Sequence, residues 1–388
     1  PGEQTMAARY LHVEVEIVQS ARRPGAICGD VVACDRQPRG ATVVCADGIG
    51  SGIKAHIAAQ LSTSRLMELL RQGFSLRQAF SSVVETLQHW RDPARPWAPF
   101  SVTRIRNDGA TTVLCYEAPG PILVSRQLAS PLPTHPMHLG KALVCESHCH
   151  LAPGEGVLLV TDGVTQAGMG CGLTHGWRLE GAASYLTGCL GRGAAIRALP
   201  HYVHREARRL SARGGDDCTA VLAFTKPGLT VNLFTGPPSR QEQDKEAVAA
   251  FMQSEGLKIV CGGTTAEIVA RSLGYPVAVE QNATSLMTPP RYQIAEIDLV
   301  TEGAVTLTQV YNVLEEDTSV LKEDSGVTDL CAFLNIADRV NLFVGTAHNT
   351  AGDDVSFRQR GILTRKQIVP LLVKRLQTLG KLVVVRSW

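Results

Sequence analysis

The apolar patterning changes character once along the chain, at Lys226-Pro227-Gly228, and this break restricts the fold more than any other feature. Ahead of it, strand-like runs come in blocks separated by blocks of helix. HVEVEIV alternates so that Val13, Val15 and Ile17 share a face, and VVACD and ATVVCAD follow across the turn-rich RQPRG. Residues 51–72 then set Ile53, Ile57, Leu61, Leu66, Met67 and Leu70 near helical spacing, with Gly73 as a stop. Ser75-Leu76-Arg77-Gln78 has the form of a capping box and opens a second helix through Phe80, Val83, Val84 and Leu87. Strands return over 100–160. FSVTRIR and TTVLCYE flank Asn107-Asp108-Gly109, a tight-hairpin signal, and PILVS, ALVCESHCHL and GVLLVTD complete the block. A helical stretch over about 178–210 and a last strand, TAVLAF, close the region. This order predicts an α+β fold of two antiparallel sheets packed together with helices outside, rather than a doubly wound fold. After the break the pattern alternates: strand VNLF, a helix at about 240–254, strand KIVC, a helix at 265–273, later strands and a final helix–strand pair. The expected division is a first domain at 8–226 and a smaller α/β domain at 227–388.

A chain of 388 residues fits two domains, and 44% hydrophobic with 19% charged residues describes a globular protein with ample core. Basic and acidic residues number 38 and 36, which argues against a nucleic-acid surface. The eleven cysteines are scattered, several inside apolar runs (Cys34, Cys45, Cys115, Cys261), as suits reduced thiols in a cytoplasmic protein. The opening PGEQTMAARY lacks the features of a signal peptide, and no apolar run approaches the roughly 20 residues that span a bilayer. The expectation is a cytoplasmic protein with no membrane and no nucleic-acid partner.

Four short motifs share one design, an aspartate near the edge of an apolar strand beside glycine or another turn residue. They are Cys28-Gly29-Asp30, Asp47-Gly48-Ile49-Gly50-Ser51-Gly52, Thr161-Asp162-Gly163 and Gly214-Gly215-Asp216-Asp217. Strand ends are rigid platforms on which carboxylates can converge. Carboxylates packed together repel unless a cation neutralises them, and Mg²⁺ and Mn²⁺ prefer carboxylate, carbonyl and water oxygens. Any one motif reads as readily as a turn or a helix cap; the combination is specific.

In order and spacing the four motifs resemble the PPM superfamily of metal-dependent protein phosphatases, and within it the stage II sporulation protein E type of bacterial phosphatase, over residues 8–225. The resemblance implies an αββα sandwich with two divalent cations, Mn²⁺ or Mg²⁺, at one end. Asp47 would bridge them and Gly48 would offer its carbonyl. Asp162 and Asp216 would complete the first site and Asp30 would serve the second, with Asp217 ranked behind Asp216. These carboxylates would hold a water that attacks phosphorus in line. The implied substrate is phosphoserine or phosphothreonine on a phosphorylated regulatory protein in signalling, with a homodimer as an option. Arg22, Arg23 and Lys54 are candidates for gripping the phosphate by nearness in sequence. The rival readings are a weak or inactive phosphatase fold serving as a signalling scaffold, and a phosphate-ligand sensor in the C-terminal domain.

Other features carry plainer readings. Cys145-Glu146-Ser147-His148-Cys149-His150 holds metal-ligand types, but a strand points its cysteines and histidines to opposite faces. His56, on the helix after the second motif, reads as a partly buried structural histidine ahead of a general acid neighbouring the metals. Cys261-Gly262-Gly263-Thr264-Thr265-Ala266-Glu267 joins strand to helix, with Thr264 and Glu267 spaced as a capping box and glycines able to cradle an anion. Gly345 to Asp354 reads as a polar loop, and Thr364-Arg365-Lys366-Gln367 as a capping box ahead of the last helix.

Overall fold

The computed structural model describes residues 10–50, 52–89, 97–211, 215–279, 292–314, 325–347 and 361–388. Two compact units emerge, one of Leu11–Pro227 and one that takes in Gly228–Trp388.

In the first unit, β1 (Leu11–Ser20), β6 (Ile122–Val124), β7 (Ala129–Pro131), β10 (Gly156–Val160) and β11 (Cys218–Pro227) form a five-stranded sheet ordered β1-β11-β10-β6-β7. The strands β2 (Val31–Gln37), β3 (Gly40–Ala46), β4 (Phe100–Arg106), β5 (Ala110–Tyr116), β8 (His135–Leu139) and β9 (Ala142–His150) form a six-stranded sheet ordered β2-β3-β4-β5-β9-β8. Every pairing in both is antiparallel. Alternation along each strand sends one set of side chains between the sheets, where Val43, Ile105 and Val113 meet Val157, Leu159 and Val221. The outer faces are covered in turn. Helices α1 (Ile53–Arg71) and α2 (Leu76–His89) pack Leu66, Phe80 and Val84 onto Val44, Phe100 and Tyr116. Helices α4 (Arg178–Gly191) and α5 (Leu199–Leu210) pack Leu186 and Val203 onto Leu158 and Leu222. The result is an αββα sandwich, the α+β architecture expected.

Three local readings are corrected. The helical stretch at 178–210 is two helices, because Gly193 takes a left-handed φ of 84° and closes α4 with bonds from Gly193 N to Leu190 O and Ala194 N to Cys189 O. On α1, Ile53, Ile57 and Leu61 face solvent, while Ala55, Ala58, Ala59 and Ser62 turn inward. Small residues let the helix lie close to the sheet; only Leu66, Met67 and Leu70 join the core as expected. In the second unit, Thr264 and Glu267 form no cap, since the helix begins at Gly263 with Gly262 at the N-cap position. The Ser75–Gln78 box does form, with Gln78 N donating to Ser75 Oγ and Ser75 N to Gln78 Oε1.

The second unit is built on a mostly parallel sheet. Its central strands are β12 (Thr230–Thr235), β13 (Leu257–Cys261), β16 (Leu299–Thr301), β17 (Arg339–Val344) and β18 (Leu382–Ser387), ordered β16-β13-β12-β17-β18. The short β14 (Ala278–Val279) and β15 (Tyr292–Gln293) extend one edge antiparallel. Helices α6 (Asp244–Gln253) and α7 (Gly263–Leu273) cover one face around Phe234, Val260 and Phe343. The other face carries α8 (Ala304–Val313), α9 (Gly326–Ile336) and α10 (Arg365–Thr378) around Leu233, Ile259 and Leu342. Here the sequence pattern identified α6 and α7 but not α8 and α9. Among the described residues no helix is long and apolar enough to cross a membrane.

Candidate metal centre

Antiparallel pairing dictates where the four motifs meet. Val31 pairs with Ala46, so the residue before β2 and the residue after β3 lie side by side at one end of the six-stranded sheet. Val160 pairs with Ala220, which does the same for the exit of β10 and the entry to β11. Asp30 and Asp47 therefore come from one sheet, and Asp162, Asp216 and Asp217 from the other. Hydrogen bonds join the two groups: Thr161 Oγ1 and Thr219 Oγ1 donate to Asp30 Oδ2 at 3.0 and 2.6 Å, and Gly29 N donates to Asp217 Oδ2 at 2.7 Å. Ser51 and Gly214 of the motifs lie outside the described residues, as do 348–354 of the polar loop.

Asp30 is 1% exposed, and its Oδ1 is buried with no partner among the described residues. Burial is the main cause that pushes its carboxyl up to about 6, against the hydroxyls of Thr219 and Thr161 and with help from Asp217. Asp47 lies within hydrogen-bonding reach of both Asp30 and Asp162; burial, then the charges of Asp30 and Asp162, push it up to about 9. Asp162 is also raised, by burial first, with Asp216 adding to the effect and Gln166 Nε2 holding Oδ2 at 2.9 Å. A run of carboxylates, Asp216, Asp162, Asp47 and Asp30, thus crosses the end of the sandwich. Such a run fits a divalent cation, because it leaves an unpartnered buried oxygen and excess negative charge that a hard cation would offset.

Asp217 differs from Asp216. Its Oδ1 and Oδ2 accept the backbone N–H groups of Arg22 and Gly29 at 2.6 and 2.7 Å, which fastens the 21–29 loop. Asp216 is exposed and its Oδ1 accepts from Asp217 N. Cys28 Sγ approaches Asp30 and Asp217 closely enough for the three to offer one ion a ligand atom each, all within 4.8 Å. Burial and then the Asp30 charge push that thiol up to about 12, so it stays protonated beside the acids. His56 donates Nδ1–H to Cys28 O at 2.9 Å, a structural contact. His148 on β9 and Arg77 on α2 both pair with Glu146.

The glycines of the Asp-Gly motifs serve close packing. A Cβ on Gly48 would run into the Ala55 carbonyl and sit 2.8 Å from Gly29 O; one on Gly163 would run into the Asp217 carbonyl. The sequence places Thr161 and Thr219 beside the motif aspartates but assigns no role to them or to Gln166. Each lies within four residues of a motif aspartate, but nothing in a single sequence says which hydroxyl turns inward. A cavity of about 310 Å³ opens beside Asp216, lined by Arg22, Gln166, Met169 and Cys171 among others. Of the three basic candidates, Arg22 is the one that lines it.

Residues 37–226 match the family model described as stage II sporulation protein E (SpoIIE), and the first unit is a domain of that family. Solved structures with similarity include the RsbU and RsbW domains of Rv1364c from Mycobacterium tuberculosis, at 17% identity over 63% of this chain and 68% of that one, TM-score 0.48. The phosphatase domain of SpoIIE from Bacillus subtilis aligns at 16% identity over 56% of this chain and 94% of that one, TM-score 0.44. The catalytic domain of the serine/threonine phosphatase PstP, solved with manganese ions, aligns at 13% identity over 56% and 99%, TM-score 0.40. No curated protein matches the sequence.

Proposed function

We propose that the first unit is a protein serine/threonine phosphatase that hydrolyses phosphoserine or phosphothreonine on a regulatory protein, with two Mn²⁺ or Mg²⁺ ions held by Asp30, Asp47, Asp162, Asp216 and the Gly48 carbonyl. The observation that carries this reading is the meeting of carboxylates from distant motifs at one sandwich end, with Asp30 Oδ1 unpartnered in the middle. Bound there, such ions supply Lewis acidity that brings a water within reach of deprotonation near neutral pH. The protein's own residues do the rest. Thr161 and Thr219 fix one oxygen of Asp30 and leave the other to face the cluster. Gln166 steadies Asp162. Asp217 holds the loop that places Asp30, so Asp216 is assigned as the ligand and Asp217 as its support. Arg22, lining the cavity next to Asp216, is assigned to the substrate phosphoryl group, as a guanidinium suits a phosphate dianion. The second unit serves regulation or docking.

The test is hydrolysis of a small aryl phosphate and of a phosphoserine peptide by the purified full chain. Mn²⁺-dependent turnover that disappears in Asp47→Asn is expected. Metal-loaded protein with no turnover that the substitution removes would leave the scaffold reading in its place.

A further inference from the structure

In the second unit the parallel strands β12, β13 and β16 end level with one another, Thr235 beside Cys261 and Cys261 beside Thr301. A glycine follows within two residues at each end: Gly236, Gly262 and Gly303. From β12 the chain winds outward through β13 to β16, then returns to the other side of β12 as β17. Closer to the middle of these ends, β13 leads to α7 on one face and its neighbour β16 leads to α8 on the other, and in open α/β sheets the crevice outside strand ends whose connections diverge in this way is where ligands bind. A cavity of about 360 Å³ occupies this edge, within the range of small-molecule sites.

Its lining has a definite chemistry. Helices α7 and α8 lie on opposite faces of the sheet, and both direct their first turns, Gly263 to Thr265 and Ala304 to Val305, at the same cavity. Neither has a side-chain cap or an acid in its first turn, and their first backbone bonds are Ala266 N to Gly262 O and Leu307 N to Gly303 O. The N–H groups ahead of those have no intrahelical acceptor. Half-buried Arg365 lines the same cavity, so close over Gly236 that any Cβ there would strike the guanidinium. In contrast, Gln367 Oε1 accepts from Thr364 N at the start of α10, and Ser325 caps α9. The cavity thus gathers N–H donors from two helices and a guanidinium, the donor set of a tetrahedral oxyanion. Glu302 lines the same space and disfavours a polyanion, while offering an acceptor to a hydroxyl or amino group.

We propose that the cavity bounded by Gly236, Gly263, Thr264, Glu302, Gly303 and Arg365 binds a small phosphate monoester of mononucleotide size, its phosphate between the two helix N-termini and Arg365. The inference is independent of the phosphatase assignment.

The experiment titrates the metal-free full chain with AMP, ribose 5-phosphate and inorganic phosphate by calorimetry, with adenosine as the phosphate-free control. Binding of at least one phosphate ester, and none of adenosine, is expected. Arg365→Met should weaken it by about tenfold or more. Because that change also removes the bond from Arg365 to Ala347 O, a second variant is needed. Gly263→Asp supplies it: nothing lies within 4 Å of a Cβ at Gly263, and a carboxylate in the first turn favours the helix while repelling phosphate. It should keep the thermal transition and lose the binding, whereas Asp47→Asn should leave binding unchanged. The proposal is overturned if no probe binds, if binding survives both variants in the second unit, or if Asp47→Asn abolishes it, which would place the ligand at the acid cluster.

Discussion

Asp47→Asn should make the metal-free protein more stable while disabling it. In the folded chain Asp47 meets Asp30 and Asp162 and is pushed up to about 9. A carboxyl whose folded value lies above its unfolded one binds more protons folded than unfolded, so stability falls as pH rises from about 4 towards about 9. Two like charges about 4 Å apart repel by roughly 4 kcal/mol at an effective dielectric near 20. Holding a proton instead at pH 8, against an unfolded value near 3.9, costs roughly 6 kcal/mol at about 1.36 kcal/mol per unit. The smaller figure bounds the strain, and water reaching this half-buried group reduces it, so the neutral isostere should gain about 2–4 kcal/mol. For a unit of this size that is roughly 5–15 °C in the thermal transition. The assay is thermal unfolding in EDTA at pH 8 and pH 5, then with excess Mn²⁺. The variant should melt higher at pH 8, the difference should shrink at pH 5, and Mn²⁺ should raise the wild type alone. A variant that melts below the wild type at pH 8, or a difference equal at both pH values, would refute the reasoning.

Two more expectations follow from the same cluster. Thr219→Val removes the shorter of two hydroxyl donors to buried Asp30, which should cost about 1–3 kcal/mol in the metal-free protein and push the Asp30 carboxyl further up; denaturant unfolding and a pH titration by NMR would read both. Gly48→Ala drives a methyl into the Ala55 carbonyl, so overpacking should cost about 1–3 kcal/mol or more and displace the first turn of α1; unchanged stability together with unchanged Mn²⁺ affinity would contradict the close packing described.

Much of this architecture was legible because period and punctuation carry it. Alternating runs, the Asn107-Asp108-Gly109 turn and the Ser75–Gln78 box are local signals, and the structure uses them locally. What stayed hidden depends on a partner distant in sequence. Ile53, Ile57 and Leu61 have helical spacing, yet the sheet beneath accepts only the alanine side of the helix, so pattern alone chose the wrong face. The aspartate motifs stood out, but the division of labour between Asp216 and Asp217 rests on the N–H groups of Arg22 and Gly29, nearly two hundred positions away. Likewise, no periodicity announces that the glycines after β13 and β16 end up packed against each other at the edge of one cavity.

The acidic residues straddle a seam: Asp30 and Asp47 hang from one sheet, Asp162 and Asp216 from the other. A cation seated among them would act as a further clasp at an end of the two stacked layers that hydrogen bonds already join. Clasp and layers share one equilibrium, so whatever prises that end apart weakens cation affinity by the same free energy with which the cation resists the opening.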